Sequence, residues 1–179
     1  MANSPKIIRS PQLAARPGPK DVRSLDRIDL AILAILATDG RIANNALAEA
    51  VGIAPSTCHN RVRTLYGLGA IRGVSADVDP TWLGCPIQAM IAVRIRANAR
   101  SAIADFSDYV AGLPAVLNVY FVSGSNDFLV HVATADTEEL RDFIANELST
   151  HQHVGGTETH LIFEHVRGVQ RTRMSEKRE

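Results

Sequence analysis

The chain has 179 residues, 46% of them hydrophobic and 21% charged, with a formal net charge of zero. That composition suits a globular protein with one large or two small cores. No apolar run approaches the roughly 18 residues needed to cross a bilayer, and the opening MANSPKIIRSPQ lacks the apolar stretch of a secretory signal. With Cys58 and Cys85 as its two cysteines, the chain has neither a disulfide framework nor a four-thiolate zinc site. A cytoplasmic protein with no membrane partner is expected.

Residues 1–23 carry Pro5, Pro11, Pro17, Gly18 and Pro19 and no sustained hydrophobic period, so a disordered arm is predicted. Lys6, Arg9, Arg16, Lys20 and Arg23 against Asp21 make it basic. It is either a dispensable tail or a cationic arm adding sequence-independent attraction to phosphates. The zero net charge hides a pattern. Residues 81–166 hold four arginines and ten acids, whereas 167–179 hold five cations and two glutamates. An acidic body thus lies between two basic ends, the second being a tail over 168–179.

Folded structure begins at LDRIDLAILAILATDGR. Ile28, Ala31, Ile32, Ile35 and Leu36 recur at helical spacing, Asp26 or Ser24 can cap the start, and Gly40 closes the helix. NNALAEAVGIAPSTCHNRVRTLYGLGA, residues 44–70, then reads as two short helices and a tight turn. Ala46, Leu47, Ala48 and Val51 form the apolar side of the first. Gly52 breaks it, and Pro55 starts the next, where the N–H that proline lacks would be unpaired anyway. On this third helix Cys58, Val62, Leu65 and Tyr66 fall on one stripe, predicting a core face with Cys58 as a small buried hydrophobe. Turning about 100° per residue groups Ser56, His59, Asn60 and Arg63 opposite. Short hydrogen-bonding groups beside one long cation suit base edges in a major groove: Asn60 for adenine, Arg63 for guanine, His59 for a base or phosphate. Ser56 and Thr57 lie at the helix N-terminus, which favours a phosphate. Arg61 lies nearer the buried flank and suits a structural or phosphate role. The same face also fits a solvated surface of a protein-binding bundle. Residues 24–73 are therefore expected to form a helix-turn-helix unit, with 74–85 as connector and a short strand within IRGVSADVD (71–79).

From Pro86 the period changes. Ile91, Val93 and Ile95 alternate on one strand face. Arg100 to Gly112 follows as a helix with Ile103, Phe106 and Val110 inward. VLNVYFVS and DFLVHVAT read as strands joined by Gly124-Ser125-Asn126. Asp136 with Glu139 forms a capping-box pattern ahead of a stripe of Leu140, Phe143, Ile144 and Leu148, and THLIFEHV (159–166) reads as the last strand. The order β-α-β-β-α-β over 86–167 is the ferredoxin-like arrangement. The fold class is thus α+β, a three-helix bundle joined to a ferredoxin-like domain. A small sheet covered on one face by helices leaves its other face for a partner, and self-association is expected.

One loop suits a small ligand. Gly124 can adopt positive φ, so amides of Gly124, Ser125 and Asn126 can converge on a carboxylate while Asp127 pairs with an α-ammonium group. An ordinary hairpin turn is the alternative. Gly155, Gly156, Thr157 and Thr159, preceding or opening the last strand, and Tyr120 are further candidates for the same pocket. His160 and His165 differ by an odd number and would point to opposite strand faces, so no metal or other cofactor is expected. No base–nucleophile pair, P-loop or dinucleotide motif is visible, so the chain is expected not to be an enzyme. An amino-acid-metabolising enzyme with an accessory helical domain and a protein-interaction scaffold stand as alternatives.

The segments LDRIDLAILAILATDGR, LAEAVGIAPSTCHNRVRTLYGLGAIRG, VSGSNDFLVHV and TETHLIFE, in this order over residues 25–166, resemble the Lrp/AsnC (feast/famine) family of bacterial transcription regulators. The resemblance implies a winged helix-turn-helix binding double-stranded DNA and a ferredoxin-like domain sensing a free amino acid. It also implies dimers assembling further, often to octamers, with effectors bound between dimers. The family's glycine-x-x-aspartate effector loop matches Gly124 and Asp127. Ala54 stands where family members usually carry serine, removing a helix cap worth about 1 kcal/mol, and Val74 replaces a common aromatic.

Overall fold

The computed structural model describes residues 25–166. The arm expected over 1–23, its neighbour Ser24 and the tail over 168–179 lie outside the described residues. Within them the chain divides into two compact units, one ending at Ala76 and the other beginning at Asp77.

Three helices make the first unit: α1 (Arg27–Thr38), α2 (Asn44–Val51) and α3 (Pro55–Gly67). Asp26 caps α1 by accepting from the Ile28 and Asp29 amides, and the Asp29 carboxylate accepts in turn from the Asp26 N–H. This reciprocal box satisfies amides that have no partner inside the helix. Ile32, Leu47, Ala48, Cys58 and Leu65 form the core. The Cys58 side chain is fully enclosed, and burial pushes its thiol pKa up, consistent with a small hydrophobe. Two residues expected on apolar stripes face water instead. Tyr66 is 44% exposed and Ala46 is exposed, because three short helices cover only part of each stripe.

The strand expected within residues 71–79 is absent. A lone extended segment gains no ladder bonds without a neighbouring strand, and Gly73 interrupts it at φ +157°. Val74 packs against the turn after α1 instead. A Cβ on Gly40 would stand 3.1 Å from Val74 Cγ1, so Gly40 provides close approach; the cap of α1 is Asp39.

The second unit holds β1 (Ile87–Ile95), α4 (Ile103–Ala111), β2 (Val116–Phe121), β3 (Phe128–Thr134), α5 (Thr137–Phe143) and β4 (Val154–Ile162). A 3-10 turn, Ala97–Ala102, leads into α4, and a π-helical turn, Ile144–Ser149, prolongs α5. The strand order β2-β3-β1-β4, with every neighbouring pair antiparallel, is the ferredoxin-like arrangement. Ala89, Ile91, Val93 and Ile95 of β1 and Phe128, Val130 and Val132 of β3 point to one face, where Phe106, Val110, Leu140, Phe143 and Leu148 pack on them. Asp136 accepts from the Glu139 amide at 2.8 Å, the cap read from sequence, while Glu139 accepts from the N–H of Ala135, one residue before the cap, at 2.6 Å.

Among the described residues, no helix covers the other sheet face. Gln88, Met90, Ala92 and Arg94 of β1 line it, by strand alternation. His131 of β3 lies among them, its Nε2 3.1 Å from Gln88 Oε1 and its Nδ1 3.4 Å from Asn118 Nδ2. The neutral imidazole protonated on Nε2 satisfies both contacts. Burial, reinforced by His165, pushes the His131 pKa down.

Candidate functional site

Two places carry the candidate residues, one in each unit. On α3, Ser56, Thr57, His59, Asn60 and Arg63 are all exposed, while Cys58 and Leu65 anchor the opposite side of the same helix. The turn before it is tight. Gly52 takes φ +72°, its own N–H reaches back to α2, and the Ile53 amide bonds the Ala48 carbonyl at 3.0 Å. Asn44 Nδ2 donates to the Pro55 carbonyl at 2.9 Å, tying the start of α2 to that of α3. No side chain caps α3, since Ala54 occupies the cap position. Its first amides are therefore free for an external acceptor, which at a helix N-terminus is favourably an anion.

Arg61 takes the structural alternative. Its Nη1 lies 2.7 Å from Asp26 Oδ2 and 2.8 Å from Asp29 Oδ1, so α3 is clamped to the capping box of α1. The side-chain bonds from Asp29 and Asp26 raise the Arg61 pKa. The Asp26 carboxyl is lowered, first by the Asp29 amide and then by Arg61. Both carboxylates are held by the one nitrogen, Nη1. Among the described residues, Arg63 makes no such pair.

The second place is one end of the sheet. Asp127 brackets β1 there: its N–H donates to the Val93 carbonyl at 2.9 Å, and its Oδ2 accepts from the Ile95 N–H at 2.7 Å. Its own carbonyl takes the Val122 N–H at 2.9 Å, closing the β2–β3 loop. Gly124 sits in that loop at φ +127°, a conformation only glycine adopts without strain. The Gly124, Ser125 and Asn126 amides bond no backbone carbonyl of the loop.

Across β1, Gly156 pairs with Arg94 and Val154 with Ile95, with a register shift between them. Arg96 Nε donates to the Val154 carbonyl at 2.9 Å. Gly156 is a close approach, since a Cβ there would lie 3.2 Å from Arg94 Nη2, while one on Gly155 would make ordinary contact with Arg96 Cγ at 3.4 Å. Both glycines stand inside β4 rather than before it: the strand runs 154–162, not 159–166. A glycine pair reads as a turn from sequence alone, because the arginines that cover it come from a strand about 60 residues earlier.

Gly124 to Asp127, Gly155 and Gly156 thus meet around Arg94 and Ile95. Tyr120, 46% exposed, shares the open face with its partner Leu129. Thr157 and Thr159 do not join the group. They pair with Val93 and Ile91 and so point to the helix side, where Thr159 lines a separate recess of about 560 Å³ with Leu140, Ile144 and Leu161. Sequence reasoning missed Arg94, although a cation inside the alternating run IAVRIR was the available signal. Among the described residues, no three His, Cys, Asp or Glu side chains are grouped to hold a metal, and no helix is long and apolar enough to cross a membrane.

A helix-turn-helix with an outward-facing second helix, carried in one chain with a ferredoxin-like α+β unit, is the architecture of a DNA-binding transcription regulator. Residues 25–65 match the AsnC-type helix-turn-helix domain and residues 88–172 the Lrp/AsnC ligand binding domain; the chain belongs to the Lrp/AsnC family. It is 53% identical over 153 residues to the HTH-type transcriptional regulator AldR of Mycolicibacterium smegmatis, covering 84% of this chain and 90% of that one. The crystal structure of MtbAldR superposes with a TM-score of 0.73 at 45% identity, over 82% of this chain and all of that one. A transcriptional regulator from Neisseria meningitidis in complex with L-Met gives 0.72 at 30% identity, over 81% and 94%.

Proposed function

We propose that this regulator reads DNA with Ser56, Thr57, His59, Asn60 and Arg63, and that a free amino acid held at the Gly124–Asp127 loop tunes that binding. Two recognition helices of a dimer enter successive major grooves of a roughly two-fold symmetric operator. Asn60 and Arg63 address base edges, the amides of Ser56 and Thr57 address phosphate, and Arg61 orients α3 through Asp26 and Asp29. Residues 24–73 form the DNA-reading part, 74–85 the connector and 86–167 the sensing and self-associating part. Dimers assemble to higher oligomers, up to octamers, in the cytoplasm. The amino acid shifts that assembly with a coupling of about 1–3 kcal/mol.

The observation that carries the effector reading is the convergence of residues 124–127 and 155–156 on one residue pair of β1. The L-Met complex of the Neisseria relative supports an amino acid as the ligand class. A duplex enriched on the full-length protein from a randomised pool supplies the DNA probe. Arg63→Ala is expected to weaken binding to it about 10–100-fold, one base contact being worth about 1–3 kcal/mol, while Arg61→Ala lowers the melting temperature first. Addition of each of the twenty L-amino acids should stabilise the parent selectively, and Asp127→Asn should abolish that response. Undiminished DNA affinity in Arg63→Ala defeats the reading face; a parent indifferent to all twenty defeats the effector.

A further inference from the structure

The two segments of the proposed effector site flank Arg94 of β1. Arg94 stands on β1 between Val93, whose carbonyl takes the Asp127 N–H, and Ile95, whose N–H is held by Asp127 Oδ2. On its other side it faces Gly156, and its Nη2 lies 3.2 Å from the position a Cβ there would take. The side chain is exposed. Among the described residues it makes no ion pair, whereas Arg61 and Arg141 are both paired with carboxylates. Neighbouring Arg96 is engaged through its Nε with Val154. Arg94 therefore takes part in neither the core nor the ladder beyond its backbone.

We propose that Arg94 holds the α-carboxylate of the free amino acid whose ammonium group is held by Asp127. The inference rests on the effector reading above and adds the cation that reading lacks. Residues opposite one another in an antiparallel ladder stand about 4.5–5.5 Å apart, and Asp127 brackets the position opposite Arg94. A zwitterion lying across this end of β1 meets a negative group on one side and a positive group on the other. One Asp127 oxygen is used by the Ile95 N–H, and the other is left for the ligand. The flat guanidinium fork suits a carboxylate with two parallel hydrogen bonds. Gly156, lacking a Cβ, lets that fork lie over β4. The loop amides of Gly124 to Asn126 complete the carboxylate's surroundings.

Isothermal titration of the full chain with the twenty L-amino acids, and with the carboxamide of each binder, tests this. The parent is expected to bind at least one acid and to bind its carboxamide at least about tenfold more weakly, the size expected for a charge-assisted hydrogen bond. Arg94→Gln should weaken the acid about 10–100-fold and leave the carboxamide within about twofold of its parent value, with Arg94→Lys recovering part of the loss. Gly156→Ala should weaken the acid in the parent background and have no further effect in Arg94→Gln. Parent-like acid binding in Arg94→Gln overturns the proposal and leaves the effector reading standing, as does equal weakening of acid and carboxamide. A change in oligomer mass by light scattering with the acid-to-amide ratio intact gives Arg94 to an interface instead, and also overturns it. If the parent binds none of the twenty, both readings fall together.

Discussion

The two units solve the presentation of functional groups in opposite ways. In the helical unit all candidate contacts come from one eight-residue stretch, 56–63, and stand outward because the opposite side of α3 is nailed to the core by Cys58 and Leu65. In the sheet unit they come from three stretches, around 94, 124–127 and 155–156, that only the ladder brings together. A helix face is a local property, set by 3.6 residues per turn; a strand-end site is set by register. The helical site should therefore tolerate loss of any one contact with its neighbours intact. In the sheet unit the same residue, Asp127, holds the strand end and is the one proposed to meet the ligand.

That contrast can be broken from its foundations. Phe106 is 1% exposed and its ring lies 5.2 Å from that of Phe128, so Phe106→Ala should cost about 3–5 kcal/mol. Urea denaturation followed by circular dichroism measures it, and a loss below about 1 kcal/mol would deny α4 its place in the core. Asp127 tests the double duty directly. Asp127→Ala leaves the Ile95 N–H without its acceptor, an expected cost of about 1–3 kcal/mol. Asp127→Asn keeps an oxygen there and should be closer to the parent, with the amino-acid response lost in both. An Asp127→Ala variant as stable as the parent would remove the carboxylate from the ladder.

The smallest expected effect concerns the open face. With the His131 pKa lowered by burial and then by His165, the unfolded chain binds a proton that the folded chain resists. Stability is then complete above the ordinary histidine value of 6.5 and declines as pH falls through it toward the lower folded value. Melting temperatures between pH 8 and pH 5.5 should show this decline, reduced in His131→Gln. A parent and variant with identical profiles would place the proton elsewhere.

The legibility of each unit follows the same division. The caps at Asp26 and Asp136, the α3 stripe and the β-α-β-β-α-β order were readable because each depends on residues a few positions apart. Arg61 was placed on the buried flank by helical phase, but its two carboxylate partners lie 35 and 32 residues away and left no local mark. Thr157 and Thr159 were grouped with the glycines by proximity in sequence; alternation turns them to the other face. The strand expected over 71–79 failed for want of a neighbour, not of β-forming residues.

Sequence by itself determined the periods, the turns and the exposed face of α3, since these are written in spacings shorter than two helical turns. Tertiary structure alone decided that Asp127 braces Ile95, that Gly156 makes room for Arg94 and that Arg61 serves α1. The physical reason is reach. A hydrogen bond or close contact acts over about 3 Å in space, and only folding says which distant residues come within it.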